Sequence, residues 1–228
     1  MRALSVWVLV GLLTVVGAWA GVTEDAKVAI REASAIYAAT NFAGAQSAYE
    51  DVISKHPEAE ASVLATARRM SGLALRAQGK QAEAQIAFAK VLTDYPEAEV
   101  SLLASAQYFM GRALLTQGKK AEALEAFERV KSTYPTAKPA VLAEAQFFWG
   151  RAMGVKTEAA QEAFVGVVRE YSRAAPKTAY EAFRRIEPSQ MGAEAYLELV
   201  NEALLAVPAT EANVKFLGVL KSEAAKLK

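Results

Sequence analysis

Apolar residues follow a helical pattern over most of the chain, and the pattern returns at a fixed interval. Ala84, Phe88 and Val91 fall at i, i+4 and i+7, which places them on one face of a helix. The same spacing returns in Ala123, Phe127 and Val130. No segment shows the strict alternation that is typical of a half-buried strand. The pattern therefore predicts a chain built from helices alone.

Three residue types recur 39 positions apart: a proline, a glycine and an aromatic ring. Markers that share one period indicate repeated structural units, and a period of this size is typical of stacked helix pairs. The markers are Pro57, Pro96 and Pro135; Gly72, Gly111 and Gly150; and Tyr49, Phe88 and Phe127.

Each marker has a predicted structural role. The repeated glycines lie inside helical patterns, where glycine is unfavourable, so we expect close contact between two helices there. Gly79 and Gly118 are predicted to end the first helix of a unit, because the residue that closes a helix often needs a positive φ. The aromatic rings are predicted to fill the space between the paired helices, and each proline to end the second helix.

Residues 3–20 form an uncharged, mostly apolar run that follows Arg2 and ends with Ala18 and Ala20. A basic start, an apolar middle and small residues before a cut are typical of a secretory signal, so cleavage is predicted after Ala20. The alternative is an uncleaved membrane anchor, since eighteen residues reach the lower limit for a membrane span.

The repeated spacing resembles that of the tetratricopeptide repeat (TPR) family. It consists of Gly72, Ala84, Phe88 and Pro96, and it returns as Gly111, Ala123, Phe127 and Pro135. Five extra residues after the proline make this unit longer than the family's 34 residues. The longer unit is similar to that of periplasmic envelope proteins of the BamD and Tol-Pal-associated type. The resemblance implies an all-α fold, a right-handed α-solenoid of stacked antiparallel helix pairs.

The pattern also predicts how the chain is divided. A signal peptide is predicted at 1–20 and four repeats within 21–175, followed by a degenerate fifth repeat and a C-terminal capping helix at 176–228. In the last segment, three helices broken at Pro188 and Pro208 are expected. The four repeats are expected at about 24–60, 61–99, 100–138 and 139–175.

The net charge of the chain and the residue at position 21 indicate which partners and which cellular compartment to expect. Loss of residues 1–20 would remove Arg2 and no acid, leaving 25 basic and 25 acidic residues. This balance argues against a nucleic-acid partner, which usually requires a basic excess. Gly21 stands where a lipid-anchored protein would have cysteine, so no lipid anchor is expected, and membrane contact is expected only through an uncleaved segment. The predicted location is periplasmic or exported.

The sequence offers no motif for catalysis, cofactors or metals. The chain has no cysteine, and its one histidine, His56, takes the place of a tyrosine in the other units. Residues 111–120 have the glycines and lysine of a phosphate loop at the wrong spacing and are predicted to be a helix end. Glu122, Glu125 and Glu128 are predicted to form a solvated helix face. No catalytic, cofactor-binding or metal-binding residue is therefore predicted.

The resemblance implies a concave groove, lined by the first helix of each unit, that binds a peptide. Arginine with aromatic residues is common at binding hot spots, and the arginines would suit an acidic peptide. The competing interpretation is that the arginines are merely solvated while Tyr108 and Phe147 pack internally; Trp149 is assigned to the core. The predicted partner-binding residues are Arg69, Leu73, Arg76, Tyr108, Arg112, Leu115, Phe147 and Arg151.

Two functional hypotheses follow. The first is a non-enzymatic protein-protein interaction scaffold of the bacterial cell envelope that holds a partner protein or peptide in its groove. The second is a permanently assembled accessory subunit of an outer-membrane-assembly, Tol-Pal or wall-synthesis complex.

Overall fold

A computed structural model of the chain describes the backbone of residues 3–227 and the side chains of residues 21–227. Met1, Arg2 and Lys228 lie outside the described residues. The predicted signal peptide, 1–20, is therefore outside the part of the chain whose side chains are described. Between residues 21 and 227, no helix is both long enough and apolar enough to cross a membrane.

The described residues form twelve α-helices and one 3₁₀ turn, with no strand among them. They fall into two compact units, one up to Ala113 and one from Leu114. The helices are α1 Ala3–Ala38, α2 Phe42–Lys55, α3 Ala61–Ala77, α4 Gln81–Asp94, α5 Val100–Thr116, α6 Lys120–Thr133, α7 Pro139–Met153, α8 Glu158–Tyr171, α9 Pro176–Phe183, α10 Pro188–Met191, α11 Ala193–Ala206 and α12 Val214–Lys226.

In the first unit, each helix packs on the next one along the chain. Helix α1 packs on α2, α2 on α3, and α3 on α4. The rings of Phe88 on α4 and Phe109 on α5 stack with centroids 5.6 Å apart. Because the connections between these helices have only three to five residues, neighbours that pack side by side run antiparallel. The predicted all-α fold of stacked antiparallel helix pairs is confirmed in this unit, and the exact repeat boundaries remain a prediction.

The close contact between helices that was predicted at the repeated glycines is found in both units, and in each an aromatic ring makes it. A Cβ atom at position 72 would lie 2.7 Å from Cε1 of Phe88, a distance that real Cβ atoms essentially never show. In the second unit, a Cβ at position 150 would lie 3.0 Å from Phe164. Phe88 and Phe164 are both fully buried. Glycine is therefore required because the ring occupies the space of a side chain.

Gly79 ends α3 as predicted, with a φ of +81°. Its N–H donates to the carbonyl of Arg76, and the next N–H, of Lys80, donates to the carbonyl of Leu75. This pair of bonds satisfies two of the carbonyls that the helix end leaves free. Gly118 has a φ of +79° and closes α5 in the same way.

The second unit has one continuous apolar core. Helices α6 to α9 pack in sequence, and α11 packs on both α8 and α12. Phe164, Val167, Leu199 and Leu220 are fully buried in this core. The pairwise packing predicted from the repeat pattern is thus also found here.

The prediction for the C-terminal helices is wrong at one place. A single helix was expected between Pro188 and Pro208, but the structure has the short α10 followed by α11. Gly192 separates them with a φ of +82°, a backbone conformation incompatible with a continuous helix. Pro188 is the first residue of α10, where its fixed φ is favourable, and not a helix breaker.

Candidate functional site

In the first unit, two of the predicted arginines meet above two aromatic rings. The guanidinium carbon of Arg76, on α3, lies 5.3 Å from the ring centroid of Phe109 on α5. Arg112 lies 5.6 Å from the ring centroid of Tyr108, and its Nη1 donates a hydrogen bond to the Tyr108 hydroxyl at 3.2 Å. We call these four residues the Arg76–Arg112 cluster.

The cluster concentrates positive charge in a partly desolvated place. Burial lowers the pKa of Arg76, and the charge of Arg112 lowers it further. Arg76 forms no ion pair with any residue whose side chain the structure describes. Since rings stabilise cations only modestly, the guanidinium of Arg76 retains the capacity to bind an anionic group.

Arg69 is a more buried arginine on the same helix. Its Nε is buried and has no hydrogen-bond partner among the described residues, and burial lowers the pKa of this guanidinium. The phenol of Tyr49 opposes this lowering of the pKa only in part. A partly buried cation without a carboxylate partner is less well solvated than an exposed one, so a ligand carboxylate would stabilise Arg69.

Leu73 lies between Arg69 and Arg76 along α3. The three positions fall at i, i+4 and i+7, and so share one helix face. Leu73 is half-buried and packs against the cluster of buried residues around Phe88. The structure thus places one apolar and two cationic predicted residues side by side.

In the second unit, Arg151 lies over a pair of phenylalanines on its own helix. Its guanidinium carbon is 4.9 Å from the ring centroid of Phe148 and 5.8 Å from that of Phe147. Arg151 itself is exposed. Leu115 is half-buried in the last turn of α5.

The two predicted aromatic residues are mostly inaccessible. Tyr108 is 2% exposed and Phe147 is 6% exposed. In this structure their rings support the arginines from below, which agrees with the competing interpretation that they pack internally. A direct contact with a partner stays a prediction for both.

Sequence reasoning missed three residues at these surfaces. Phe109 and Phe148 each follow a predicted aromatic residue and each contact an arginine, and they lie one repeat apart. The paired rings in "YFMG" and "FFWG" were the signal for them. Arg185 lies 4.9 Å from the ring centroid of Phe147, and its Nη1 donates to Glu181 Oε2 at 2.9 Å. No repeat marker pointed to Arg185, because it lies beyond the last clear unit.

The assignment of Trp149 to the core is wrong in part. The side chain is only partly buried, and it lines an open pocket of the second unit. Its position corresponds to Met110 one repeat earlier. Met110 is likewise only partly buried.

The remaining polar residues singled out in the sequence have ordinary surroundings. Glu122, Glu125 and Glu128 are exposed along α6, as predicted, and Glu125 pairs with Arg129 at 2.8 Å. His56 caps the end of α2 and donates its backbone N–H to the carbonyl of Val52. Among the described residues there is no group of acidic or histidine side chains that could hold a metal ion.

Comparison with known proteins supports the family resemblance over the central helices. The sequence profile of the Tetratricopeptide repeat family matches residues 67–98 and 105–137. No curated protein matches the chain. Tetratricopeptide repeat proteins are generally non-enzymatic scaffolds that bind protein partners, and no catalytic family is indicated for this chain. The two matches support the tetratricopeptide repeat family for this part of the chain.

Proposed function

We propose that this chain is a non-enzymatic interaction scaffold of the bacterial cell envelope that binds an acidic segment of a partner protein or peptide. The observation that carries the proposal is the half-buried Arg69, whose buried Nε has no hydrogen-bond partner among the described residues and which shares a helix face with Arg76. A desolvated cation without a partner is unfavourable in the free protein, and binding of a ligand carboxylate stabilises it.

The aromatic rings beneath the arginines hold the guanidinium groups in position for a ligand. Arginine is enriched among the residues that dominate binding energy, because it buries a large area and still makes directed polar contacts. In the Arg76–Arg112 cluster the hydroxyl of Tyr108 fixes the orientation of Arg112 at 3.2 Å. A guanidinium that is already oriented loses less entropy on binding a carboxylate.

The cellular setting is proposed from the N-terminal segment and from the length of the repeat. The apolar run at 3–20 after Arg2 supports export to the periplasm or beyond, with cleavage after Ala20. The 39-residue unit supports a role of the BamD or Tol-Pal-associated type. In the alternative proposal the chain is a permanent accessory subunit of an outer-membrane-assembly, Tol-Pal or wall-synthesis complex.

The proposal can be tested by capture of partners on the immobilised full chain from the envelope fraction of the native host. The wild type is compared with a variant that combines Arg69→Gln, Arg112→Glu and Arg151→Glu. A matched control combines Arg31→Glu, Arg129→Glu and Arg173→Glu, three exposed arginines elsewhere. Circular dichroism checks that all three proteins have equal helicity.

We expect the control to capture as much partner as the wild type. The variant with Arg69→Gln, Arg112→Glu and Arg151→Glu, called the groove variant, should capture at least tenfold less. The purified partner must then bind the wild type directly, with an affinity that falls as salt is raised. Equal capture by the groove variant and the wild type would overturn the assignment of these arginines. Capture that survives high salt and dissociates only on denaturation would favour the accessory-subunit alternative.

A further inference from the structure

The second unit contains an open pocket of about 600 Å³ between α6, α7 and α8. Its apolar lining includes the ring of Phe127, the indole of Trp149 and the methyl group of Ala163. A pocket of this size takes a large side chain together with part of the backbone that carries it. The tryptophan makes it distinct from the corresponding places of the other units, which have Met110 and Ser71.

Two polar side-chain atoms of residues that line this pocket are buried and have no hydrogen-bond partner among the described residues. They are the indole Nε1 of Trp149, which can only donate, and the amide Oε1 of Gln146, which can only accept. The two residues are three positions apart on α7, so their side chains are neighbours on one helix face. Buried polar atoms without partners are rare and unfavourable, and a ligand that pairs with both would be stabilised.

Gln146 is held in position by the helix opposite. Its Nε2 donates to the carbonyl oxygen of Ala163 at 3.1 Å. A Cβ at position 166 would lie 2.4 Å from that Nε2, so Gln146 would have to shift if residue 166 carried a side chain. Glycine is unfavourable inside a helix such as α8, and its presence there is explained by the space that Gln146 needs. With its nitrogen held in this way, the amide keeps Oε1 as an acceptor without a partner among the described residues.

The chemistry of the two free atoms matches a peptide main chain. A main-chain segment offers a carbonyl oxygen to Trp149 Nε1 and an N–H to Gln146 Oε1, while its side chain enters the apolar part. A hydrocarbon chain would leave both polar atoms unpaired. The pocket is open to solvent on one side, which suits a segment that continues on both sides of the inserted residue.

The rim of the pocket is acidic. Glu128 and Glu162 both line it, both are exposed, and neither forms an ion pair with another residue that the structure describes. Lys131, the one basic residue of the lining, is engaged with Glu170 at 3.4 Å. The rim therefore favours a ligand with a positive charge next to its apolar residue.

We infer that this pocket is a second binding site, for a peptide segment of a partner protein that inserts an apolar side chain adjacent to a lysine or arginine. The site is separate from Phe147 and Arg151, because at 3.6 residues per turn these point roughly 150° away from Gln146 and Trp149 around α7. The inference does not depend on the acidic ligand proposed for the arginines.

Trp149 itself reports on this site. The chain has three tryptophans, and replacing the others by Trp7→Phe and Trp19→Phe in the full chain leaves Trp149 as the sole indole. The probe is acetyl-leucyl-lysine amide, titrated against Trp149 emission. Matched controls are acetyl-glycyl-lysine amide, which lacks the apolar side chain, and acetyl-leucyl-glutamate amide, which reverses the charge.

We expect a saturable change in Trp149 emission with the leucyl-lysine probe, and affinities at least fivefold weaker for both control probes. Gln146→Leu keeps the bulk of the side chain but removes the acceptor, and should weaken the leucyl-lysine probe at least fivefold. Arg151→Gln, on the other side of α7, should leave its affinity unchanged. Circular dichroism verifies that each variant is as helical as the parent.

Three results would overturn the inference. The first is no saturable change with the leucyl-lysine probe, and the second is equal affinity for the glycyl or glutamyl probe. The third is self-association of the full chain, seen by analytical ultracentrifugation and abolished by Trp149→Ala, since the occupant would then be a second copy of this chain. If the arginine variants lose or keep binding to an acidic peptide, neither the Trp149 emission nor the self-association measurement changes. The proposal for the arginines and the proposal for the pocket can therefore be rejected independently.

Discussion

Arg112 and Arg151 occupy the same place one repeat apart, yet the two units hold them differently. In the first unit the hydroxyl of Tyr108 accepts a hydrogen bond from Arg112, which is half-buried. In the second unit the corresponding ring belongs to Phe147, which has no hydroxyl, and Arg151 is exposed above Phe147 and Phe148. The Tyr108 hydroxyl thus gives Arg112 a hydrogen bond that Phe147 cannot give Arg151.

The largest expected effect tests whether the two units depend equally on their central rings. Phe88→Ala in the first unit and Phe164→Ala in the second each remove a fully buried ring. Each should lower the free energy of unfolding by about 3–5 kcal/mol, because a cavity replaces a well-packed side chain. Urea denaturation followed by circular dichroism measures the loss.

Ile86→Ala is a matched control for these core variants, since Ile86 lies on α4 but is 58% exposed. It should change the free energy of unfolding by about 0.5 kcal/mol or less. A loss below 1 kcal/mol for Phe88→Ala would contradict the packing described for the first unit.

The next comparison concerns the glycines that face those rings. Gly72→Ala and Gly150→Ala should each destabilise the protein by about 1–3 kcal/mol, because the new methyl group overpacks the site. The effect should be larger at position 72, where the ring is 2.7 Å from the added Cβ, than at position 150, where it is 3.0 Å away. Thermal and urea denaturation both report the difference.

Gly218→Ala provides the opposite case within α12. A Cβ there meets nothing within 4 Å, so alanine should stabilise the helix by about 0.5–1 kcal/mol. If the change destabilised the protein as much as Gly72→Ala does, steric contact would not explain either result.

High pH should destabilise the second unit, which contains two tyrosines with strongly raised pKa values. Burial raises the pKa of Tyr171 and of Tyr196 to about 12, with the charges of Glu170 and Glu223 adding to the effect. An unfolded tyrosine ionises near pH 10, so the stabilisation is complete below that pH and is lost as the pH rises from about 10 to about 12. The loss should be on the order of 2 kcal/mol per tyrosine.

Urea denaturation at pH 9 and at pH 11.5 measures this loss. Tyr196→Phe should make the free energy of unfolding less dependent on pH over that interval, since one ionising group is gone. A slope that Tyr196→Phe leaves unchanged would show that this phenol is not the group responsible.

The smallest effect is expected when the hydroxyl beside the two arginines is removed in one unit and added in the other. Tyr108→Phe removes the acceptor for Arg112 and should cost about 1 kcal/mol, while Phe147→Tyr should stabilise by less than that. If Arg112 binds an acidic partner, Tyr108→Phe should also weaken that binding a fewfold. Calorimetric titration with the captured partner gives the affinity, and an unchanged value would place the contact elsewhere.

Much of the fold could be predicted from the sequence, because its determinants are local. The positive φ at Gly79 and the contact between Gly72 and Phe88 follow from residue types at fixed spacings. The break at Gly192 was missed, since a glycine between segments of helical pattern is compatible with both a continuous helix and a turn.

The candidate sites were less predictable, because they depend on contacts between helices. The spacing identified Arg76 and Arg112, but not that Phe109 would lie beneath Arg76. It also could not show that Trp149 remains partly exposed, since that depends on the distance between α6 and α8. Periodicity identifies which face of a helix is apolar and gives no information on how completely that face is covered.

Helix α1 continues without interruption from Ala3 to Ala38, through the predicted cleavage point after Ala20. A cut there would turn the middle of a helix into its beginning, with a new positively charged amine at Gly21. The N-terminal end of a helix already carries partial positive charge, which makes that amine unfavourable. Glu24 and Asp25 would then lie in or next to the new first turn and offset it. The residues after the cut are thus suited to starting a helix, although in the uncut chain they lie inside one.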